Sequence, residues 1–189
     1  MLKTNDCVRF GWFLPVISGD FDKVNLEVQC RFGLDIPPGM VNKMSDRLYV
    51  GIDLGTYQST ISSSAGASHT IETIVGRPKD PVARNFLGRD VLFGNDALKN
   101  KLACNLYRPM AAGVAQDDEA NLAAAKAFVS HLLETVDPEE YDEVFGVICS
   151  PSHVSFTDKS NLVATLRGQV NAIMVVTEPF ATAYGIEEI

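Results

Sequence analysis

The stretch RLYVGIDLGTYQSTISSS, Arg47 to Ser64, decides the fold. Leu48, Val50 and Ile52 recur at every second position, the period of a strand with one face buried. The run then meets an acid, Asp53, a glycine, Gly55, and a row of hydroxyl residues. A carboxylate at the end of a buried strand costs free energy unless something pairs with it, so Asp53 asks for a partner. Gly55-Thr56 punctuates the chain, and Thr60-Ile61-Ser62 starts a return strand. A third strand is expected over 70–75, and the short spacings favour antiparallel hairpins.

Working outward, VGRPKDPVARNFLGRD is polar and holds two prolines, so it reads as an excursion from the main sheet, with a short helix expected over 95–102. Leu122, Ala125, Val129, Leu132, Leu133 and Val136 then fall on one helical face. Asp117 or Asp118 suits its N-cap, and Pro138 bars its continuation. EVFGVICSP and NAIMVVTEP read as two buried strands, separated by an amphipathic helix over 155–169 and followed by a helix beginning over 180–189. The order is three meander strands, an insertion, then helix–strand–helix–strand. That order predicts a mixed α/β sheet whose crossover strands are parallel.

Ligands of open α/β sheets gather beyond the carboxyl ends of the strands. Asp53 and Glu178 both stand at such ends. Two carboxylates facing one crevice suit a magnesium-bound polyphosphate, because Mg²⁺ takes one or two carboxylates, waters and phosphate oxygens. Gly55 lets the backbone approach phosphates, and the amides of Gly55 to Tyr57 with the Thr56 hydroxyl have the makings of an anion nest. Taken singly, Asp53 also suits a turn cap and Glu178 a helix-start acid favoured by the dipole. Thr56, Ser59 and Thr60 also suit turns and strands. No G-x-x-x-x-G-K and no G-x-G-x-x-G occurs, so the cradle is expected to be a hairpin.

The net charge of −8 and the lack of a basic stripe argue against nucleic acid as a partner. No run approaches the roughly 18 apolar residues of a membrane span, and Phe10 to Ile17 is too short. Cys7, Cys30, Cys104 and Cys149 lie far apart without a C-x-x-C, which predicts reduced, structural thiols and a cytosolic setting. His69, His131 and His153 show no metal or triad spacing. The acidic run Asp137, Glu139, Glu140, Asp142 and Glu143 is expected to be a solvated loop. Residues 1–44 lack a sustained period and read as a leader or non-native extension, with Met44 as the expected natural start; the main domain is expected over 45–189.

VGIDLGTYQST resembles the first phosphate motif of the actin, heat-shock-chaperone and sugar-kinase superfamily of ATPases, and VTEPFATAYG resembles the segment carrying the catalytic glutamate in bacterial actins. The short insertion, with VGRPKD, LGRDVLFGNDAL and YRPMAAGV, is most similar to the MamK type of bacterial actin, then to the MreB type; Ala112 stands where an acid is usual. The resemblance implies a ribonuclease H-like five-stranded sheet with a small inserted subdomain over about 76–107. It implies ATP and Mg²⁺ as cofactors, with Asp53 holding the water shell of Mg²⁺, Gly55, Thr56 and Tyr57 at the phosphates, and Glu178 polarising the attacking water. Tyr57 replaces a small residue and is expected to crowd the phosphate pocket. Cys149-Ser150-Pro151 is similar to a Gly-Val-Pro turn whose backbone lies near the phosphates. A second phosphate motif and an adenosine motif are not found by Ile189, so the chain alone is expected neither to bind ATP tightly nor to hydrolyse it. The resemblance further implies a cytoplasmic filament protein with itself or an actin-like paralogue as partner, in a magnetosome-organising role that brings in magnetosome or membrane-associated proteins. An MreB-like cell-shape role, a kinase half, and a non-catalytic half-actin that binds or caps a paralogue's filaments are the alternatives.

Overall fold

A computed structural model describes residues 47–111, 113–115 and 118–185. The expectations for 1–44, for Phe10 to Ile17, and for Cys7, Cys30, Ala112 and Asp117 therefore lie outside the described residues.

The main sheet has five strands in the order β10-β9-β1-β2-β3. β1 (Arg47–Leu54) pairs antiparallel with β2 (Gln58–Ser63), and β2 antiparallel with β3 (Ser68–Glu72). On its other side β1 runs parallel to β9 (Glu143–Ser150), and β9 parallel to β10 (Ala172–Thr177). The mixed sheet with parallel crossover strands is thus as the residue pattern predicts. Leu48, Val50, Ile52 and Leu54 are all at most 2% exposed and line one face of β1. They enter a core with Phe128, Val129, Leu132 and Leu133 of α3 (Glu119–Glu134) and Leu162 and Leu166 of α4 (Phe156–Leu166). Asp118 caps α3 through the amide of Asn121, and Ser155 opens α4 with a capping box to Asp158. The opposite face is covered in part by α5 (Glu178–Gly185), whose Ala181 packs on Val147 and Cys149.

The row of hydroxyls after Gly55 has a structural use. Ser59 bonds Thr73 (2.8 Å), Thr60 bonds Thr70 (2.9 Å) and Ser62 bonds Ser68 (2.9 Å), so the side chains join β2 to β3 and to the segment just beyond it. The third strand ends earlier than the sequence predicts. Thr73 donates its amide to the Tyr57 carbonyl and Ile74 donates to Glu72, which turns the chain out of the sheet. The excursion has more structure than its prolines suggest. β4 (Val75–Pro78) lies between β5 (Leu92–Phe93) and β6 (Cys104–Tyr107), flanked by α1 (Pro81–Leu87) and α2 (Gly94–Lys99). Pro78 closes β4, and Pro81 falls in the first turn of α1, where a missing amide costs nothing. A small hairpin, β7 (Met110–Ala111) with β8 (Val114–Ala115), follows. NAIMVVT also departs from expectation: Met174 is 61% exposed, because β10 is an edge strand bonded to β9 alone among the described strands.

Candidate functional site

Register places the two acids. Ile52 lies beside Ile148 and Thr177 beside Ser150, so Asp53 and Glu178 stand at the same carboxyl end, on β1 and just past β10. One strand, β9, separates them, a lateral distance of roughly 10 Å between backbones. The alternation of β1 puts Asp53 on the face opposite Leu48, Val50, Ile52 and Leu54, which is the face α5 covers. Glu178 is the first residue of α5. Both are partly buried. Burial pushes the Glu178 carboxyl above the ordinary glutamate range, and the charge of Asp53 pushes it the same way. The acids therefore share one crevice and repel each other across it.

Two glycines admit the chain to this place. A Cβ on Gly55 would lie 2.3 Å from the carbonyl oxygen of Gln58, so the β1–β2 turn closes only around a hydrogen. Gly113, between β7 and β8, has φ +76°, a left-handed conformation that favours glycine. Its Cβ would lie 2.8 Å from Cγ of Pro151 and 3.5 Å from Oε1 of Glu178. The hairpin thus brings its backbone up to the glutamate. Ser150 is fully buried and its hydroxyl donates to the Val176 carbonyl (3.4 Å), tying β9 to β10 beneath Glu178.

Asp53, Gly55 and Glu178 are brought to one end of the sheet, with Thr56 and Tyr57 in the turn that follows Gly55. Ser59 and Thr60 are taken up by the sheet instead. The Tyr57 ring is 74% exposed, with the guanidinium carbon of Arg108 5.7 Å from its centroid. Gly113 and Arg108 gained no role from the sequence. Their signal was YRPMAAGV, a glycine and a cation in an otherwise small and apolar run, and only the hairpin shows which way they lie. Among the described residues no group of three His, Cys, Asp or Glu side chains is placed to hold a metal ion directly. The all-oxygen pair fits Mg²⁺ held through water and phosphate, and does not suit a softer metal.

The repulsion has a testable sign. The folded chain holds the Glu178 proton more tightly than the unfolded chain does. Stability from this group is complete below the ordinary glutamate range and is lost as pH rises through the elevated value. Glu178→Gln is therefore expected to raise the melting temperature at neutral pH by about 1–3 °C, a small figure because solvent screens the pair. The gain should vanish below the glutamate range. Thermal melts of both proteins across pH check this; a loss of stability at neutral pH would refute it.

No protein-family profile matches the sequence. The actin-like protein MamK of Paramagnetospirillum magneticum is 30% identical over 145 residues, covering 76% of this chain and 42% of the relative. Among solved structures, a MamK double helical filament superposes with a TM-score of 0.72 at 29% identity, over 76% of this chain and 44% of that one. The chain is a homologue of the MamK-type bacterial actins. A non-polymerising MamK mutant bound to AMPPNP superposes with a TM-score of 0.70 at 29% identity, over 76% and 45%. An MreB of Spiroplasma citri bound to ADP matches with a TM-score of 0.52 at 18% identity, over 70% and 38%, and shares the fold. The chain spans about two fifths of the length of the MamK relatives it matches. No helix among the described residues is long and apolar enough to cross a membrane.

Proposed function

We propose that this chain supplies the magnesium- and phosphate-holding wall of a MamK-type, filament-forming ATPase. The observation that carries the reading is the meeting of Asp53 and Glu178 in one crevice, on the same face of the sheet, at the end where Gly55 and Gly113 open the backbone. Asp53 orients the water shell of Mg²⁺. The turn amides from Gly55 to Tyr57 and the Thr56 hydroxyl receive phosphate oxygens, and Arg108 on Tyr57 stands beside them as a cation. Glu178, with its raised proton affinity, orients and polarises a water molecule; positioning and electrostatics do most of the work in phosphoryl transfer. Bound Mg²⁺ supplies charge that relieves the acid pair and stabilises the phosphates. The small subdomain spans about 76–107. The MamK likeness supports extending the proposal to filament formation with itself or a paralogue, in a cytoplasmic, magnetosome-organising role; the MreB-like role is less supported.

Co-sedimentation tests it. The full chain is mixed with filaments of Paramagnetospirillum magneticum MamK in Mg-ATP and centrifuged. The chain is expected in the pellet with the filaments and to hydrolyse no ATP alone. High Mg-ATP is expected to raise its melting temperature, and Asp53→Asn to erase that rise. A chain that stays in the supernatant, leaves filament length unchanged and shows no Asp53-dependent response to Mg-ATP would overturn the proposal.

A further inference from the structure

The face of the main sheet that α5 covers only in part carries an apolar patch toward the amino ends of its strands. Register sets Tyr49, Phe145 and Ala172 side by side on β1, β9 and β10, with Val147 beside Met174 one step along. Val147 packs under Ala181 of α5, and side chains two apart on a strand share a face, so all five stand on the α5 side. Ala172 is exposed, Met174 is 61% exposed, and Tyr49 and Phe145 are half-buried with their rings stacked at 5.5 Å. Three neighbouring strands thus present large apolar side chains with little to cover them, which marks a docking surface.

The place where the preceding chain enters says what covers it. Residues 1–46 join the fold at Arg47, on the edge of this patch. There the guanidinium carbon lies 5.7 Å from the centroid of the Phe145 ring, and Nε donates to Glu143 (2.8 Å). Upstream, FGWFLPVI, Phe10 to Ile17, is an apolar run without a charge. An uncharged run suits an uncharged face, since a charge buried there would lose its hydration. The residues between Ile17 and Arg47 reach roughly 100 Å when fully extended, far more than the width of three strands. Pro38-Gly39 in that stretch has the chemistry of a turn, which lets the chain double back.

We infer that the run Phe10–Ile17 docks on the Tyr49–Phe145–Met174 face of its own chain. The tether favours this occupant over a second copy, because a linked segment acts at an effective concentration of about millimolar. The inference goes beyond the ATPase reading and does not rest on it. It makes residues 1–44 a docked arm in place of a loose leader.

The fluorescence of Trp12 tests it in the full chain, where Trp12 is the one tryptophan. Emission from the native protein is expected to lie blue of that from the urea-unfolded protein, with acrylamide quenching severalfold weaker. Met174→Lys and Ala172→Glu each alter an exposed side chain of β10, so circular dichroism should be unchanged. Each is expected to move the emission to the red and to restore most of the quenching. Val82→Lys, at a 78% exposed site on α1, is the control and should change neither. Native emission that matches the unfolded chain would overturn the inference and leave the leader loose. A blue shift that both β10 variants retain would place Trp12 on some other surface and overturn it as well. A shift that fades on dilution would make the occupant a second copy, and a shift seen only with phosphatidylglycerol vesicles would make the arm a lipid-binding segment; either result overturns it.

Discussion

Gly55→Ala is expected to lower the stability of the chain by about 2–3 kcal/mol, a drop in melting temperature of roughly 5–10 °C. The added methyl would lie 2.3 Å from the Gln58 carbonyl oxygen. That atom is backbone in a hydrogen-bonded hairpin, so it cannot swing aside as a side chain would. The turn must open, carrying Thr56 and Tyr57 away from Asp53. Two consequences separate this change from a general loss of fold. Any rise in melting temperature caused by Mg-ATP should disappear, and the Ser59 and Thr73 hydroxyl pair should loosen at the start of β2. Gly185→Ala is the control. Nothing lies within 4 Å of a Cβ there and its φ is not in the left-handed range, so it should be close to neutral. A Gly55→Ala protein as stable as the wild type would show that the turn tolerates a side chain, and its reading as a cradle would fall.

Phe128→Ala is expected to cost about 3–5 kcal/mol, the usual penalty for emptying a large buried aromatic site. Phe128 is 1% exposed on α3, inside the main core, and its ring meets Phe93 of β5 at 6.3 Å. It thus joins the large sheet to the small one. Domains of this size have about 5–15 kcal/mol of stability in all, so the variant should be partly unfolded at physiological temperature. Urea titration followed by circular dichroism measures the loss. Phe86→Ser is the companion case, since an 81% exposed phenylalanine should change stability by no more than about 0.5 kcal/mol. A Phe128→Ala loss below about 1 kcal/mol would mean that the core closes over the gap, and that the two sheets are held together by other contacts.

Much of the fold was legible because its signals were local. The period of two at Leu48, Val50 and Ile52, the helical face of Leu122 to Val136, and the N-cap signal at Asp117 or Asp118 are each read without reference to the rest. The acids were legible because a carboxylate ending an apolar run is an anomaly that demands a reason. What stayed hidden was non-local. The hydroxyl row after Gly55 has the same composition whether it faces a ligand or a neighbouring strand, and the Thr60–Thr70 and Ser62–Ser68 pairs depend on register that only the folded sheet sets. The two-residue strands at Leu92 and Met110 are too short to show a period. Gly113 looked like one more glycine among small residues, because its neighbours Pro151 and Glu178 come from 38 and 65 positions away. NAIMVVT reads as buried on hydrophobicity alone, yet strand order leaves it at the margin, where Met174 meets solvent.

The position of Cys149 gives the molecule a clock. The residue is 2% exposed and packs under α5 against Ala181. A thiol reagent can reach it only when that helix lifts. In a chain with Cys7 and Cys30 replaced by serine, the alkylation rate at Cys149 times that opening, while Cys104, hidden within the small sheet, times a separate one. Because Glu178 begins the same helix, the first of these rates reads out how firmly the Glu178 end of the sheet is covered.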